Sequence, residues 1–160
     1  MTKTTFTINK ESLQVVMDRV YKAPLELVFI TMTNPKLIPE WWGPKIYTTT
    51  VEKDELKPGG VWRYVQKDSE GNSFAFHGEY IEIVPNKKIV RTFNFEGIPG
   101  DHELIETTIL ENLGGGKTKI TSTSKFKNAE DLEGMTGSGM ESGATETWER
   151  FALLVEKNIL

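Results

Sequence analysis

The sequence predicts an α+β fold: an antiparallel sheet of about six strands against one long C-terminal helix, with two short helices after the first strand. Three observations carry this. Over Gly139 to Leu160, Met140, Ala144, Trp148, Phe151, Ala152, Val155 and Ile159 recur at steps of three and four, which is one apolar stripe on a helix. From Ile46 to Lys127 the apolar period drops to two and is interrupted by short turns, the pattern of an antiparallel meander. Between the first strand and that meander, Pro24, Asn34-Pro35 and Gly43-Pro44 delimit two short apolar segments.

The elements follow in order. Thr2 to Lys10 is polar and is expected to be a loosely held lead-in. Leu13 to Tyr21 is rich in β-branched and apolar residues and reads as a strand. Pro24 suits the first turn of a helix, and Leu25, Val28, Phe29 and Met32 continue it to Thr33. Pro35 to Trp42 forms a second short helix. Strands are then expected at Ile46 to Glu52, Val61 to Lys67, Phe74 to Val84, Lys88 to Glu96, Glu103 to Leu113 and Thr118 to Lys127. Asn128 caps a short helix through Met135. The final helix, at ~1.5 Å per residue, is a rod of roughly 30 Å that needs a partner for its stripe.

Turn positions predict a register. Pairing across Asp68 to Ser73 sets Trp62 opposite Gly78, Tyr64 opposite Phe76 and Gln66 opposite Phe74. A large aromatic facing a strand glycine covers the missing side chain. A tight turn at Pro85-Asn86 then places Phe95, Phe93 and Arg91 beside Phe76, Gly78 and Tyr80. One sheet face is therefore aromatic, and it is the expected seat of the long helix. Arg63, His77, Glu79 and Thr92, with Val61, Val65, Ile81 and Ile83, fall on the other face.

A chain of 160 residues is expected to be a single domain over residues 1–160. It is 38% hydrophobic, 26% charged, and carries a net charge of -4 with no basic run, which argues against nucleic acid as a partner. With no cysteine, disulfides and thiolate chemistry are excluded and a reducing compartment is favoured. The N-terminus lacks an apolar signal core and no apolar run is long enough to span a bilayer, so a cytoplasmic location with no membrane partner is expected.

Arg19 with Ala23-Pro24 and Val28-Phe29, Trp41-Trp42-Gly43-Pro44, Asp54 to Tyr64, Gly71, Gly78 to Ile83, and Gly139-Met140 with Gly143 occur in one order along the chain. Together they resemble the START-like (Bet v 1-like, SRPBCC) superfamily, and within it the domain related to the C-terminal part of the activator of Hsp90 ATPase. The resemblance implies a helix-grip fold, in which the sheet wraps around the last helix and leaves a cavity for a small hydrophobic or amphipathic molecule. It also implies two other readings: a chaperone-interaction module and a polyketide cyclase-like enzyme. Where relatives often carry Leu-Asp-x-Leu, this chain has Thr147-Trp148-Glu149-Arg150-Phe151, with bulky Trp148 and Phe151.

The expected role is non-catalytic binding of such a ligand, with no cofactor. Trp41, Trp42, Trp62, Tyr64, Phe76, Tyr80, Arg91, Phe93, Phe95, Met140, Ala144 and Trp148 are the expected ligand-binding residues. Met140, Ala144 and Trp148 are expected to face Trp62, Tyr64, Phe76 and Phe93. Trp41 and Trp42 read either as a cavity rim or as core packing. Arg91 on an apolar face needs a carboxylate, an anionic ligand group or a route to water for its head. His77, Glu79 and Arg63 share a strand face and form either an acid/base group or a solvated cluster, and no nucleophile or oxyanion motif accompanies them. Two histidines without cysteine make a poor metal site.

Overall fold

The computed structural model describes residues 3–157. The elements are β1 (Thr5–Asn9), β2 (Gln14–Tyr21), α1 (Leu25–Thr33), α2 (Ile38–Trp41), β3 (Thr48–Asp54), β4 (Val61–Lys67), β5 (Ser73–Val84), β6 (Lys88–Phe95), β7 (Leu104–Gly114), β8 (Lys117–Lys125), α3 (Ala129–Thr136) and α4 (Met140–Lys157). Eight strands form one curved sheet in the order β1-β2-β8-β7-β6-β5-β4-β3, with every neighbouring pair antiparallel. This is the helix-grip fold.

The expected count of about six strands is corrected to eight. One addition is β1, taken from the sequence as a lead-in. Phe6 pairs with Met17 and packs on the cluster of Val15, Leu104, Phe126 and Leu132. The Asn9 side chain accepts from the backbone N–H of Glu11 and of Ser12, closing the turn that folds β1 back onto β2. The expected helix end, Asn158 to Leu160, lies outside the described residues.

The β4–β5 register is as expected, with Trp62 opposite Gly78, Tyr64 opposite Phe76 and Gln66 opposite Phe74. A side chain at Gly78 would meet the Thr92 carbonyl at 1.9 Å and Trp62 Nε1 at 2.7 Å. Only glycine lets the Trp62 ring lie there and donate to that same carbonyl, at 3.3 Å. Phe76 opposite Phe95 and Tyr80 opposite Arg91 also match, by a different route from the one expected. Val84 pairs with Lys88, so the turn holds three residues, with Asn86 in the left-handed region at φ 63. A bulge between Tyr80 and Glu82 absorbs the extra residue. It also turns Ile83 from the outer face, where sequence parity placed it, onto the core.

The seat of the long helix is corrected as well. The rings of Tyr64, Phe76 and Phe93 are covered by Trp42, with centroids at 4.9, 5.2 and 6.4 Å. Helix α4 lies against α1, α2 and α3 and touches β2. Its stripe residues Phe151, Ala152 and Val155 are buried. Phe151 stands edge-on to Tyr21 at 5.2 Å and to Trp41 at 5.0 Å. Residues off the stripe tie α4 to loops. Arg150 donates to the Gly43 carbonyl at 2.5 Å and the Glu40 carbonyl at 2.8 Å. Glu146 accepts from Lys45 N–H at 2.6 Å, and Glu156 from Lys22 N–H at 2.9 Å. The Arg150 and Glu146 bonds hold the Trp41–Trp42 segment between helix and sheet, so α4 meets that segment instead of the aromatic face.

Candidate ligand cavity

A cavity of about 120 Å³ lies between the sheet and the helices. Its roof is mainly Met32, Ile38, Trp41, Trp42, Trp148 and Phe151, with Thr33 and Thr147 beside them, contributed by α1, α2, the residue after α2, and α4. Its floor is built from inward-pointing strand positions. Tyr21, Ile89 and Ile120 supply apolar surface, and Tyr64, Tyr80, Arg91, Glu106, Thr108 and Ser122 supply polar atoms. Among the described residues, Arg91 and Glu106 are the two charged ones on the wall.

The strand register assembles the floor. Arg91 is directly opposite Glu106, and Thr108 is opposite Ser122. Arg91 Nε donates to Glu106 Oε1 at 2.8 Å, with the side chains 11% and 23% exposed. Arg91 Nη1 donates to the Tyr64 hydroxyl at 3.3 Å, and the guanidinium lies 4.0 Å from the Trp62 ring centroid. The alternative of an Arg91 head in water is thus replaced by a part-buried ion pair on an aromatic face. Burial works against the charge on Arg91, but Glu106 and the flanking tyrosine hydroxyls more than offset it and hold the guanidinium protonated. Tyr80 donates to Asp54 Oδ1 at 2.5 Å. Burial raises the Asp54 pKa in spite of that bond, and raises those of Tyr64 and Tyr80 as well.

Of the residues expected to bind ligand, Trp41, Trp42, Tyr64, Tyr80, Arg91 and Trp148 line the cavity. Trp62 is buried beneath Arg91, out of reach of the cavity. Phe76 and Phe93 pack around Trp42 and each other. Phe95 lines a separate groove of about 590 Å³ beside α3, together with Ile98, Phe126 and Met135. Met140 packs on the Val15–Leu104–Phe126–Leu132 cluster, and half-buried Ala144 lines neither space. Trp148 meets Tyr21, at 6.3 Å, so the expected grouping of Met140, Ala144 and Trp148 over the aromatic face is corrected.

Sequence reasoning missed Glu106, Thr108 and Ser122. Their signal is parity: Leu104, Glu106, Thr108 and Leu110 share one face of β7, and its ends are buried. His77, Arg63 and Glu79 lie outside the cavity on the opposite sheet face. There His77 Nδ1 lies 2.9 Å from Glu96, which also accepts from Arg63 at 2.8 and 2.9 Å. Glu96, in place of Glu79, organises that exposed cluster. Among the described residues, no group of His, Asp and Glu is placed to hold a metal, and no helix is long and apolar enough to cross a membrane.

The sequence profile of the family described as activator of Hsp90 ATPase homolog 1-like protein (AHSA1) matches residues 22–156. The chain belongs to the AHSA1-like family. Solved structures similar to this AHSA1-like chain share its fold. One is a protein from Arthrobacter aurescens, at TM-score 0.88 and 23% identity, covering 96% of this chain and 91% of the other. Another is Ms6760 from Mycobacterium smegmatis, at TM-score 0.84 and 19% identity, covering 95% and 96%. A third is DynU16, a protein in the dynemicin biosynthetic locus, at TM-score 0.67 and 16% identity, covering 91% of this chain and 48% of that one. No curated protein matches the chain.

Proposed function

We propose that this AHSA1-like domain is a binding protein for a small amphipathic molecule held between sheet and helices. The observation that carries the reading is a cavity with a largely apolar roof over a floor that holds a part-buried, hydrogen-bonded ion pair. Apolar walls with a few placed polar groups are the usual make-up of a small-molecule site. At about 120 Å³ the space is near the size of an engineered cavity, about 150 Å³, that takes benzene. It therefore suits a ligand of about one ring or a short chain.

A thermal-shift screen of small aromatic and short-chain amphiphiles tests this reading. Binding to the native state alone raises the midpoint with ligand concentration. Concentration-dependent shifts for compounds of this size are expected. A flat response across the set refutes the reading.

The family description supports a second reading, an interaction with an Hsp90-type chaperone. It predicts that the purified chain changes the ATPase rate of the host chaperone. An unchanged rate at saturating chain concentration removes it.

A further inference from the structure

The head group of the ligand can be read from the atoms that the ion pair leaves free. Within the pair, Arg91 uses Nε on Glu106 Oε1 and Nη1 on Tyr64. Among the described residues, Glu106 Oε2 accepts no hydrogen bond and Arg91 Nη2 donates none, and neither atom is sealed inside protein. The floor therefore keeps an unused acceptor, Glu106 Oε2, and an unused donor atom, Arg91 Nη2. Among the described residues these two are the charged ones on the wall, so its formal charge is zero. Thr108 and Ser122 add hydroxyls that rotate to suit either role.

Resting on the ligand-binding reading above, we infer that the cavity selects an uncharged ligand of about one ring bearing a hydroxyl group, over carboxylates, ammonium ions and plain hydrocarbons. A hydroxyl donates to Glu106 Oε2 while accepting from Arg91 Nη2. A carboxylate gains Arg91 but is set against the Glu106 charge and must give up its hydration. An ammonium meets the converse problem at Arg91. A hydrocarbon leaves both protein groups dry and unpaired, which costs more than a lost contact.

The test is a titration of the full chain near pH 7, followed by nitrogen-15 NMR, with phenol, toluene, benzoate and protonated benzylamine. Shifts at Thr108, Ile120 and Ser122 report on the floor. Phenol is expected to bind more tightly than toluene, although it is the better hydrated of the two. It is also expected to bind roughly tenfold or more tightly than either ion, the size of one well-made polar contact. In Glu106→Gln, Arg91 loses its counter-charge, and benzoate is expected to overtake phenol. The wild-type series decides the matter even if that variant fails to fold. Benzoate or toluene binding wild-type protein as tightly as phenol overturns this inference and leaves the ligand-binding reading standing. No shift at the floor with any of the four overturns both.

Discussion

Arg91 and Glu106 face each other across β6 and β7, with Nε 2.8 Å from Oε1 and the guanidinium 4.0 Å from the Trp62 ring centroid. Breaking a buried pair by removing one partner costs more than removing both, because the survivor is left buried and uncompensated. Glu106→Leu is expected to destabilise the fold by about 2 kcal/mol, the size of a hydrogen bond to a charged group, because the pair is part-buried. Adding Arg91→Met is expected to restore part of that loss. Urea unfolding of both single variants and the double closes the cycle. Additive losses would mean that the pair is not coupled.

Gly78 is where backbone and ring packing meet. Alanine there would put its methyl group 1.9 Å from the Thr92 carbonyl, so the β5–β6 backbone must move. Gly78→Ala is expected to cost about 2 kcal/mol or more, in the range of overpacked cores, and to shift Trp62 fluorescence. Wild-type stability in this variant would contradict the close approach.

Arg150 anchors the Trp41–Trp42 segment through two backbone carbonyls. Arg150→Met retains a long stem but loses both donors, at an expected cost of about 2 kcal/mol. Hydrogen exchange should quicken at Trp42 and Lys45 while the β4–β5 ladder is unaffected. Uniform acceleration would show only global destabilisation.

His102 gives a pH dependence. Nδ1 lies 2.7 Å from Asp131 Oδ1, and Nε2 lies 2.7 Å from the Pro99 carbonyl, so both nitrogens face acceptors. The Asp131 bond, then the Pro99 bond, raises the pKa above 6.5. The native state thus holds the proton more tightly than the unfolded chain. The contribution is complete below about 6.5 and is lost as pH rises through the raised native value. Unfolding at about pH 5.5 and about pH 8.5 is expected to show wild type exceeding His102→Gln at the lower pH, with the gap closing at the higher. A gap independent of pH contradicts a protonated His102.

Much of the sheet was legible in the sequence. Trp62 over Gly78 followed from loop length and strand parity alone. The β5–β6 register came out right because a longer turn and a bulge offset each other, a cancellation that no periodicity reveals. β1 was missed because five residues with one packed aromatic give too little alternation. Glu106 was missed as the partner of Arg91 because the irregular link from Glu96 to Glu103 leaves the β6–β7 register open. Trp42 displaced α4 from the aromatic face for a reason that lies in three dimensions. Arg150, far along the chain, ties down the peptide that follows Trp42.

Diffraction from a crystal soaked in phenol tests the cavity most directly. Ring density between Trp148 and Ile89, with the hydroxyl in hydrogen-bonding reach of the Glu106 carboxylate, is the predicted result. Unchanged density in the cavity at saturating phenol would contradict ligand binding between sheet and helices.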